Sequence, residues 1–242
     1  MSERYVRQIP VIGDAGQEKL RDATVFLAGC GGLGSPAAFY LAAAGVGHLR
    51  IADCDVVDET NLNRQILHRT DRIGMPKAAS AKLTLEAFNP DVEVTAFASF
   101  INEATAPRMI GDVDIIVDAM DNFSARYVLN ACSQRLGVPL MHGGVTGLSG
   151  QATLIVPGET ACLSCIFPDA KTTVKPPMLG TTAGVIGSIE AEETIKYLTG
   201  TGETLAGKLL LWDGSVNRMD VFSVRKSRRC HVCSCSSEVK KS

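Results

Sequence analysis

Short apolar runs alternate with longer mixed segments through the first 150 residues of the chain. The runs predict strands at Val25–Ala28, His48–Ala52, Val92–Phe97, Val113–Val117 and Val138–Met141. The segments between them predict helices at Ala37–Ala44, Met75–Phe88, Glu103–Ile110 and Phe123–Leu136. The fourth run is apolar throughout, which is typical of a strand covered on both faces. This order predicts an α/β fold with a doubly wound, mostly parallel, Rossmann-like sheet.

Residues with strong turn or capping preferences mark the ends of these helices. Ser35 is a suitable N-cap and Pro36 a suitable first helical residue for the first helix, which Gly45 ends. Asn89-Pro90 closes the second helix, because the residue before a proline avoids the helical conformation. The first helix is rich in alanine and is therefore thin enough to lie close to a sheet.

A different pattern begins after Gly150. Further strands are predicted at Gln151–Val156, Leu209–Trp212 and Arg218–Val224, a helix at Ala183–Gly200, and an exposed Pro- and Thr-rich loop at Lys171–Thr182. The weak alternation of the first of these strands favours antiparallel pairing. We expect a single domain over 1–242, in which residues 1–150 form the core, 151–235 extend it and 236–242 form a polar tail.

The composition is that of an ordinary globular protein. Its 242 residues, 45% of them hydrophobic, suit one large α/β domain. A net charge of −2 gives no reason to expect nucleic acid or an anionic membrane as a partner. The basic run Arg225, Lys226, Arg228 and Arg229 is interpreted as a solvated face.

The stretch Thr24–Leu49 carries no formal charge but does not predict a membrane span. Glycines and Pro36 interrupt it, whereas a spanning helix needs roughly 20 continuous apolar residues. The segment Met1–Arg4 has no apolar signal region. The expected location is therefore the cytoplasm or an equivalent reducing compartment.

A glycine-rich turn, Gly29-Cys30-Gly31-Gly32-Leu33-Gly34, joins the first strand to the first helix. Such a turn lets backbone amides approach phosphate oxygens, assisted by the positive end of the following helix. A tight packing turn is the alternative interpretation. Asp53 ends the second strand at close to the ~20-residue spacing expected of an acid that binds ribose hydroxyls. Together the turn and Asp53 predict a nucleotide site.

Two cations indicate which nucleotide binds. Arg64 and Lys77 flank a loop beyond the carboxyl end of the second strand, where open sheets bind ligands. Arginine offers a planar fork to phosphate and lysine a mobile charge. Asp121, after the fourth strand, could bind Mg²⁺ through oxygen or cap the helix that begins at Phe123. This set favours ATP over the cofactor of a nicotinamide-dependent dehydrogenase, which leaves both cations unexplained.

Four of the eight cysteines form two Cys-x-x-Cys pairs, Cys162 with Cys165 and Cys230 with Cys233. Four thiolates in two such pairs predict a closed structural Zn²⁺ site, with reduced buried thiols as the alternative. Cys235 and His231 are further candidates for the fourth ligand. The remaining cysteines, Cys30, Cys54 and Cys132, have no partner by spacing.

The ordered set of motifs resembles the MoeB/ThiF/HesA family, relatives of ubiquitin-activating enzymes that adenylate the C-terminal glycine of small carrier proteins. The motifs run along nearly the whole chain: Arg4-Tyr5-Val6-Arg7-Gln8, the glycine loop, Asp53, Asn61-Leu62-Asn63-Arg64-Gln65, Gly74-Met75-Pro76-Lys77, Asp121-Asn122 and the two cysteine pairs. No single motif is decisive, whereas the ordered set is highly specific.

The resemblance implies a role for each matching residue. ATP would be bound by Gly29, Gly31, Gly32, Gly34, Asp53, Asn61, Arg64, Gln65, Lys77, Asp121 and Asn122. Within this set Asp53 would hold the ribose, Arg64 and Lys77 the triphosphate, and Asp121 would lie near magnesium. Arg7 would reach into the site of a neighbouring subunit, which makes a homodimer part of the expected active site. The family pattern also favours Cys233 as the fourth zinc ligand.

The implied reaction is ATP-dependent transfer of AMP to the C-terminal carboxylate of a ubiquitin-fold sulfur carrier ending in Gly-Gly. That carboxylate is already ionised near pH 7 because its unperturbed pKa is about 3.5, so no histidine base is required. Some relatives carry a thioester or persulfide cysteine before the last long helix, but the loop 171–182 has none and places Thr172-Thr173 there. We therefore expect the acyl-adenylate as product, with sulfur supplied by another protein.

Two related functions are the alternatives. One is adenylation and cyclisation of a modified adenosine in transfer RNA, which the neutral charge balance and the zinc pairs make less attractive. The other is a non-catalytic subunit of a heterodimeric activating enzyme, which the full set of ATP residues argues against.

Overall fold

The computed structural model of the chain describes residues 3–172 and 177–234. The helices of this part are α1 (Ile9–Asp22), α2 (Gly34–Ala44), α3 (Lys77–Phe88), α4 (Ala106–Ile110), α5 (Phe123–Leu136), α6 (Leu163–Ile166) and α7 (Gly180–Thr199), with three short 3-10 turns. The strands are β1 (Thr24–Ala28), β2 (His48–Ala52), β3 (Glu93–Phe97), β4 (Ile115–Asp118), β5 (Leu140–Thr146), β6 (Ser149–Ile155), β7 (Lys208–Asp213) and β8 (Arg218–Ser223).

All eight strands belong to one sheet of order β3-β2-β1-β4-β5-β6-β7-β8. Strands β1 to β5 pair in parallel, and β6, β7 and β8 extend the sheet in antiparallel fashion. This confirms the predicted fold class. In the register, Ala28 pairs with Ala52 on one side and with Asp118 on the other. The loops that follow β1, β2 and β4 therefore leave the sheet side by side.

Helices cover both faces of the parallel part, so successive residues of a strand enter different cores. Val25 and Leu27 pack in the core beneath α1, α2, α3 and α7, whereas Phe26 and Ala28 pack in the core beneath α4, α5 and α6. All four side chains are fully buried. At about 25 cal/mol per Å² of apolar surface, these two cores are the main source of stability.

Several strand bounds and helix starts differ from the sequence-based expectations. Strand β5 runs from Leu140 to Thr146 instead of from Val138 to Met141. Ser35 is not an N-cap, because α2 begins at Gly34, and its buried hydroxyl accepts a hydrogen bond from the N–H of Leu67 at 3.4 Å. Helix α4 begins at Ala106 because the side chain of Asn102 holds the preceding residues in a turn. Helix α7 begins at Gly180 rather than near Ala183.

The helix α1 was not anticipated from the sequence. Its pattern is weak because Pro10 lies in the first turn and Gly13 interrupts the helical backbone with φ of +74°. Leu20 anchors it in the core. None of the helices in the parts of the chain that the structure covers is long and apolar enough to cross a membrane.

Candidate active site

The carboxyl ends of β1, β2 and β4 open into a cavity of about 2030 Å³. Most of the predicted ATP residues line it: Gly29, Gly31, Gly32, Asp53, Asn61, Arg64, Gln65, Lys77, Asp121 and Asn122. Pockets for small ligands usually measure roughly 300–1,000 Å³. The cavity therefore has room for a nucleotide together with part of a second reactant.

The glycine loop is shaped by close backbone packing. Gly29 has φ of +99°, which L side chains rarely adopt, and a Cβ there would lie 2.8 Å from the carbonyl oxygen of Ala119. A Cβ on Gly34 would lie only 1.9 Å from the carbonyl oxygen of Gly29. Gly34 thus packs against the backbone of Gly29 within the turn and does not line the cavity.

Asp53 fixes this loop as well as facing the cavity. Its carboxylate accepts the N–H of Cys30 at 2.8 Å and the N–H of Asp55 at 2.9 Å. Burial raises the pKa of Asp53, and the two backbone hydrogen bonds oppose that shift. Each carboxylate oxygen makes one of these bonds and has a second lone-pair site, so both oxygens can also accept from ribose hydroxyls.

Lys77 is the first residue of α3 and is buried, with its side chain 6% exposed. Its ammonium group lies 3.0 Å from the carboxylate of Asp55, and its N–H donates to the carbonyl of Asp55 at 2.9 Å. Asp55 was not predicted as a site residue from the sequence. It lies two residues after Asp53, and this spacing could have indicated that both carboxylates lie at the same edge of the sheet. The pair holds the cation at the cavity wall.

Arg64 lies in the loop between β2 and α3. Its guanidinium donates to the carbonyl of Thr60 at 2.9 Å and to the side chain of Asn63 at 2.8 Å. The start of α7 packs directly against this loop, since a Cβ on Gly180 would lie 2.6 Å from the carbonyl oxygen of Asn63. Arg64 thus reaches the cavity from a loop that packs against the start of α7.

Asn122, and not Asp121, caps the helix α5. The side chain of Asn122 accepts from the N–H of Ala125 at 2.9 Å and is the N-cap of α5. Asp121 is exposed in the cavity wall, where its carboxylate accepts from the amide of Asn122 at 3.2 Å. Thr172 also lines the cavity and accepts from the N–H of Phe123 at 3.0 Å. Thr173 lies outside the described residues.

A buried polar network behind the cavity has no counterpart in the sequence-based expectations. Asp118 and His142 are fully buried, and the Nδ1 atom of His142 lies 2.7 Å from the carboxylate of Asp118. Arg126 donates to the carbonyls of Met120 and Gly143, at 2.6 and 3.0 Å, and so links the network to the loop that carries Asp121. Burial lowers the pKa of His142. His142 is not part of the cavity wall.

Arg7 is exposed and does not line the cavity of its own chain. The residues around it are anchored: the ring of Tyr5 covers Gly45, and Gln8 donates to the carbonyl of Ala44 at 2.8 Å. The segment that carries Arg7 is therefore held on the surface at the end of α2.

The four predicted zinc ligands meet at one point. The sulfur atoms of Cys162, Cys165, Cys230 and Cys233 all lie within 4.8 Å of one another. Three of the S–S distances are 3.5, 3.4 and 3.9 Å. A tetrahedron with Zn–S bonds of 2.3 Å has edges of about 3.8 Å, so the thiols fit a zinc ion. His231 is not in this group, and Cys235 lies outside the described residues.

Comparison with known proteins identifies the family. The model of the ThiF family matches residues 5–235. The chain belongs to the ThiF family. It is 39% identical over 239 residues to the SAMP-activating enzyme E1 of Haloferax volcanii, covering 96% of this chain and 88% of that protein.

Other ThiF-family relatives are longer. The chain is 40% identical over 245 residues to the adenylyltransferase and sulfurtransferase MOCS3 of Drosophila sechellia, covering 96% of this chain and 53% of that protein. It thus spans about half the length of these MOCS3 relatives.

Solved structures of MccB from E. coli share the fold. The structure with MccA-N7isoASN has a TM-score of 0.89 and 26% identity, covering 96% of this chain and 75% of that one. The structure of MccB with ATP has a TM-score of 0.87 and 26% identity, covering 96% and 74%.

Proposed function

We propose that this ThiF-family protein adenylates the C-terminal glycine carboxylate of a small ubiquitin-fold sulfur carrier ending in Gly-Gly. The observation that carries the proposal is one cavity in which the glycine loop and Asp53 lie together with the cations Arg64 and Lys77. The names of the relatives, an adenylyltransferase and an activating enzyme E1, support the same class of reaction. MccB, with the same fold, binds ATP.

In the proposed reaction the ionised carboxylate of the carrier attacks the α-phosphorus of ATP. A bond from carboxylate oxygen to phosphorus forms, and the bond to the departing pyrophosphate breaks. No proton is transferred, so the site must supply alignment and compensation for charge that moves onto pyrophosphate. Lys77, held by Asp55, and Arg64, braced by α7, are the cations suited to this task.

Asp121 suits a magnesium ion delivered with ATP. Its carboxylate is exposed in the cavity wall, and Mg²⁺ is usually held by one or two carboxylates together with substrate phosphates. When bound, the ion would neutralise charge on the phosphate oxygens. Asn122 caps α5 beside it and so holds the position of the Asp121 loop.

The carrier is assigned to the antiparallel extension of the sheet, within residues 151–235. Leu211 and Phe222, on β7 and β8, are partly exposed and also line the cavity. An apolar patch beside a cavity of this size suits a folded protein whose extended tail enters the cavity.

The proposed product is the acyl-adenylate, with sulfur delivered by a separate protein. No cysteine occurs in 171–182, and a threonine hydroxyl is a far weaker nucleophile than a thiolate. Among the described residues that line the cavity, Cys54 is the cysteine, and it adjoins Asp53 on the ribose side. The proposal also includes a homodimer, in which Arg7 serves the cavity of the neighbouring subunit.

The test is ATP–pyrophosphate exchange with Mg²⁺, with and without a panel of carriers ending in Gly-Gly. Exchange that depends on one carrier is expected. Arg64→Ala should lower it 10²–10³-fold, whereas Arg69→Ala is the matched control, since Arg69 pairs with Asp71 outside the cavity. Full exchange in Arg64→Ala would contradict the assignment. Adenylation of transfer RNA in place of any carrier would establish the alternative function.

A further inference from the structure

His68 lies in a closed ring of hydrogen bonds between the glycine loop and α3. Its Nε2 lies 3.0 Å from the carbonyl oxygen of Cys30 in the loop, and its Nδ1 lies 3.0 Å from the hydroxyl of Ser80 on α3. His68 is 6% exposed and Ser80 is fully buried. Ser80 follows Lys77 by one helical turn, so this side of the ring ends close to the buried cation.

The other side of the ring also runs from Cys30 to α3. The N–H of Cys30 donates to Asp53 at 2.8 Å, and the second oxygen of that carboxylate accepts from the N–H of Asp55 at 2.9 Å. The carboxylate of Asp55 then holds Lys77 at 3.0 Å. Both polar backbone groups of Cys30 are therefore bonded, and both routes lead to α3.

The partners of His68 fix the tautomer of its neutral ring. A carbonyl oxygen only accepts, so Nε2 carries the proton, and in a neutral ring Nδ1 accepts from the hydroxyl of Ser80. Burial of the ring lowers the pKa of His68; the hydrogen bond to the Cys30 carbonyl opposes this shift, and the charges of Lys77 and Arg72 add to it. The imidazole is thus neutral at pH 7, and the direction of each hydrogen bond is set.

We propose that His68 is a positioning residue for adenylation: it fixes the Cys30 carbonyl so that the loop amides and Lys77 keep a set separation across the triphosphate. This inference rests on the proposed function. In-line attack needs the phosphate chain held accurately, and a displacement of about 1 Å can slow such a reaction about 100-fold. His68 itself does not line the cavity and is not expected to contact ATP.

Two substitutions separate the two hydrogen bonds of the ring. In His68→Gln the side-chain amide can reach the position of Nε2 and donate to Cys30, while the link to Ser80 is lost. In His68→Asn the shorter side chain can retain Ser80 but not Cys30. We expect His68→Gln to keep exchange within about 3-fold of the wild type, and His68→Asn to lower kcat about 30- to 100-fold with little change in KM for ATP.

The control is His48→Gln, because His48 bonds Thr95 at 2.9 Å on the adjoining strands and has no link to the loop. Its exchange should equal that of the wild type. Equal losses in His68→Gln and His68→Asn that follow their melting temperatures would reduce His68 to a packing role and overturn the proposal. Wild-type kcat in His68→Asn would also overturn it.

Amide hydrogen exchange of the loop keeps the inference testable if the proposed function itself fails. If the wild-type protein shows no pyrophosphate exchange with any carrier, the adenylation proposal is contradicted. The role of His68 in fixing the glycine loop is not contradicted by that result. The N–H of Cys30 should then still exchange faster in His68→Asn than in His68→Gln. Equal protection in the two variants would show that His68 does not fix the loop.

Discussion

Glu190 gives the sharpest test of the electrostatics, because its carboxyl group is buried without a hydrogen bond. It lies on α7 with 0% exposure, and neither oxygen has a partner among the residues that the structure covers. A Cβ on Gly143 would lie 2.4–2.7 Å from the carboxyl atoms, so β5 packs directly on the group. Burial and then the charge of Asp118 raise the pKa of Glu190 well above its ordinary value, and Arg126 opposes them.

The sign of the pH effect follows from this raised pKa. Between pH 4.5 and the raised pKa of the folded state, the carboxyl is ionised in the unfolded chain but protonated in the folded one. The folded state then binds one more proton, so the stability it contributes is complete below pH 4.5 and is lost as pH rises toward the folded pKa. The loss is about 1.4 kcal/mol per pH unit.

Glu190→Gln removes this titration. Relative to the wild type, the free energy of unfolding of Glu190→Gln should rise with pH between the unfolded and folded pKa values of Glu190, with a limiting slope of about 1.4 kcal/mol per pH unit. For a chain of this size that slope is a relative gain of roughly 3–6 °C in melting temperature per pH unit. The new amide is itself unpaired and lowers stability by an amount that does not depend on pH. The quantity to measure is therefore how the difference in free energy of unfolding between Glu190→Gln and the wild type changes with pH, and not its absolute size.

The assay is chemical and thermal unfolding of both proteins at three pH values with zinc present. Glu192→Gln is the matched control, because Glu192 is exposed on the same helix. Its stability curve should remain parallel to that of the wild type. Parallel curves for Glu190→Gln as well would refute the argument, since they would mean that Glu190 does not change its protonation on unfolding.

Three further predictions concern the site and its supports. Lys77→Ala should lower pyrophosphate exchange 10²–10³-fold, and exchange within 3-fold of the wild type would exclude Lys77 from the reaction. Removal of zinc by a chelator should lower the melting temperature, as should Cys162→Ser, and a metal-free protein of full stability would contradict a structural zinc site. Asn122→Ala should lower the free energy of unfolding by about 1 kcal/mol through loss of the α5 cap, whereas Asn122→Asp should retain it; equal losses in denaturant unfolding would contradict this role.

The sequence predicts those parts of the molecule whose cause is local. Strand β2 and helix α5 were placed correctly because apolar runs and breakers are read within a few residues. The thiols of Cys162 and Cys230 could be grouped because paired spacing is itself a metal signal. The helix α1 was missed because Gly13 and Pro10 weaken its pattern, and its stability comes from packing on α7.

Most of the features that could not be predicted from the sequence are contacts between segments that are distant along the chain. Asp118, His142 and Glu190 come from three elements and converge only in the folded sheet, so no spacing reveals them. The bond between Asp55 and Lys77 depends on the path of the loop between β2 and α3. The cavity residues were predictable as a set, whereas the contacts that fix their positions were not.

The two cysteine pairs have a consequence for the connectivity of the chain. Cys162 and Cys230 are 68 residues apart, as are Cys165 and Cys233. With zinc bound, the segment between them, which includes α7, β7 and β8, becomes a closed loop. A protease cut inside this loop would leave two fragments that remain joined through the metal as long as the zinc site stays intact. The metal would thus act as a reversible cross-link between the residues that follow β6 and those that follow β8.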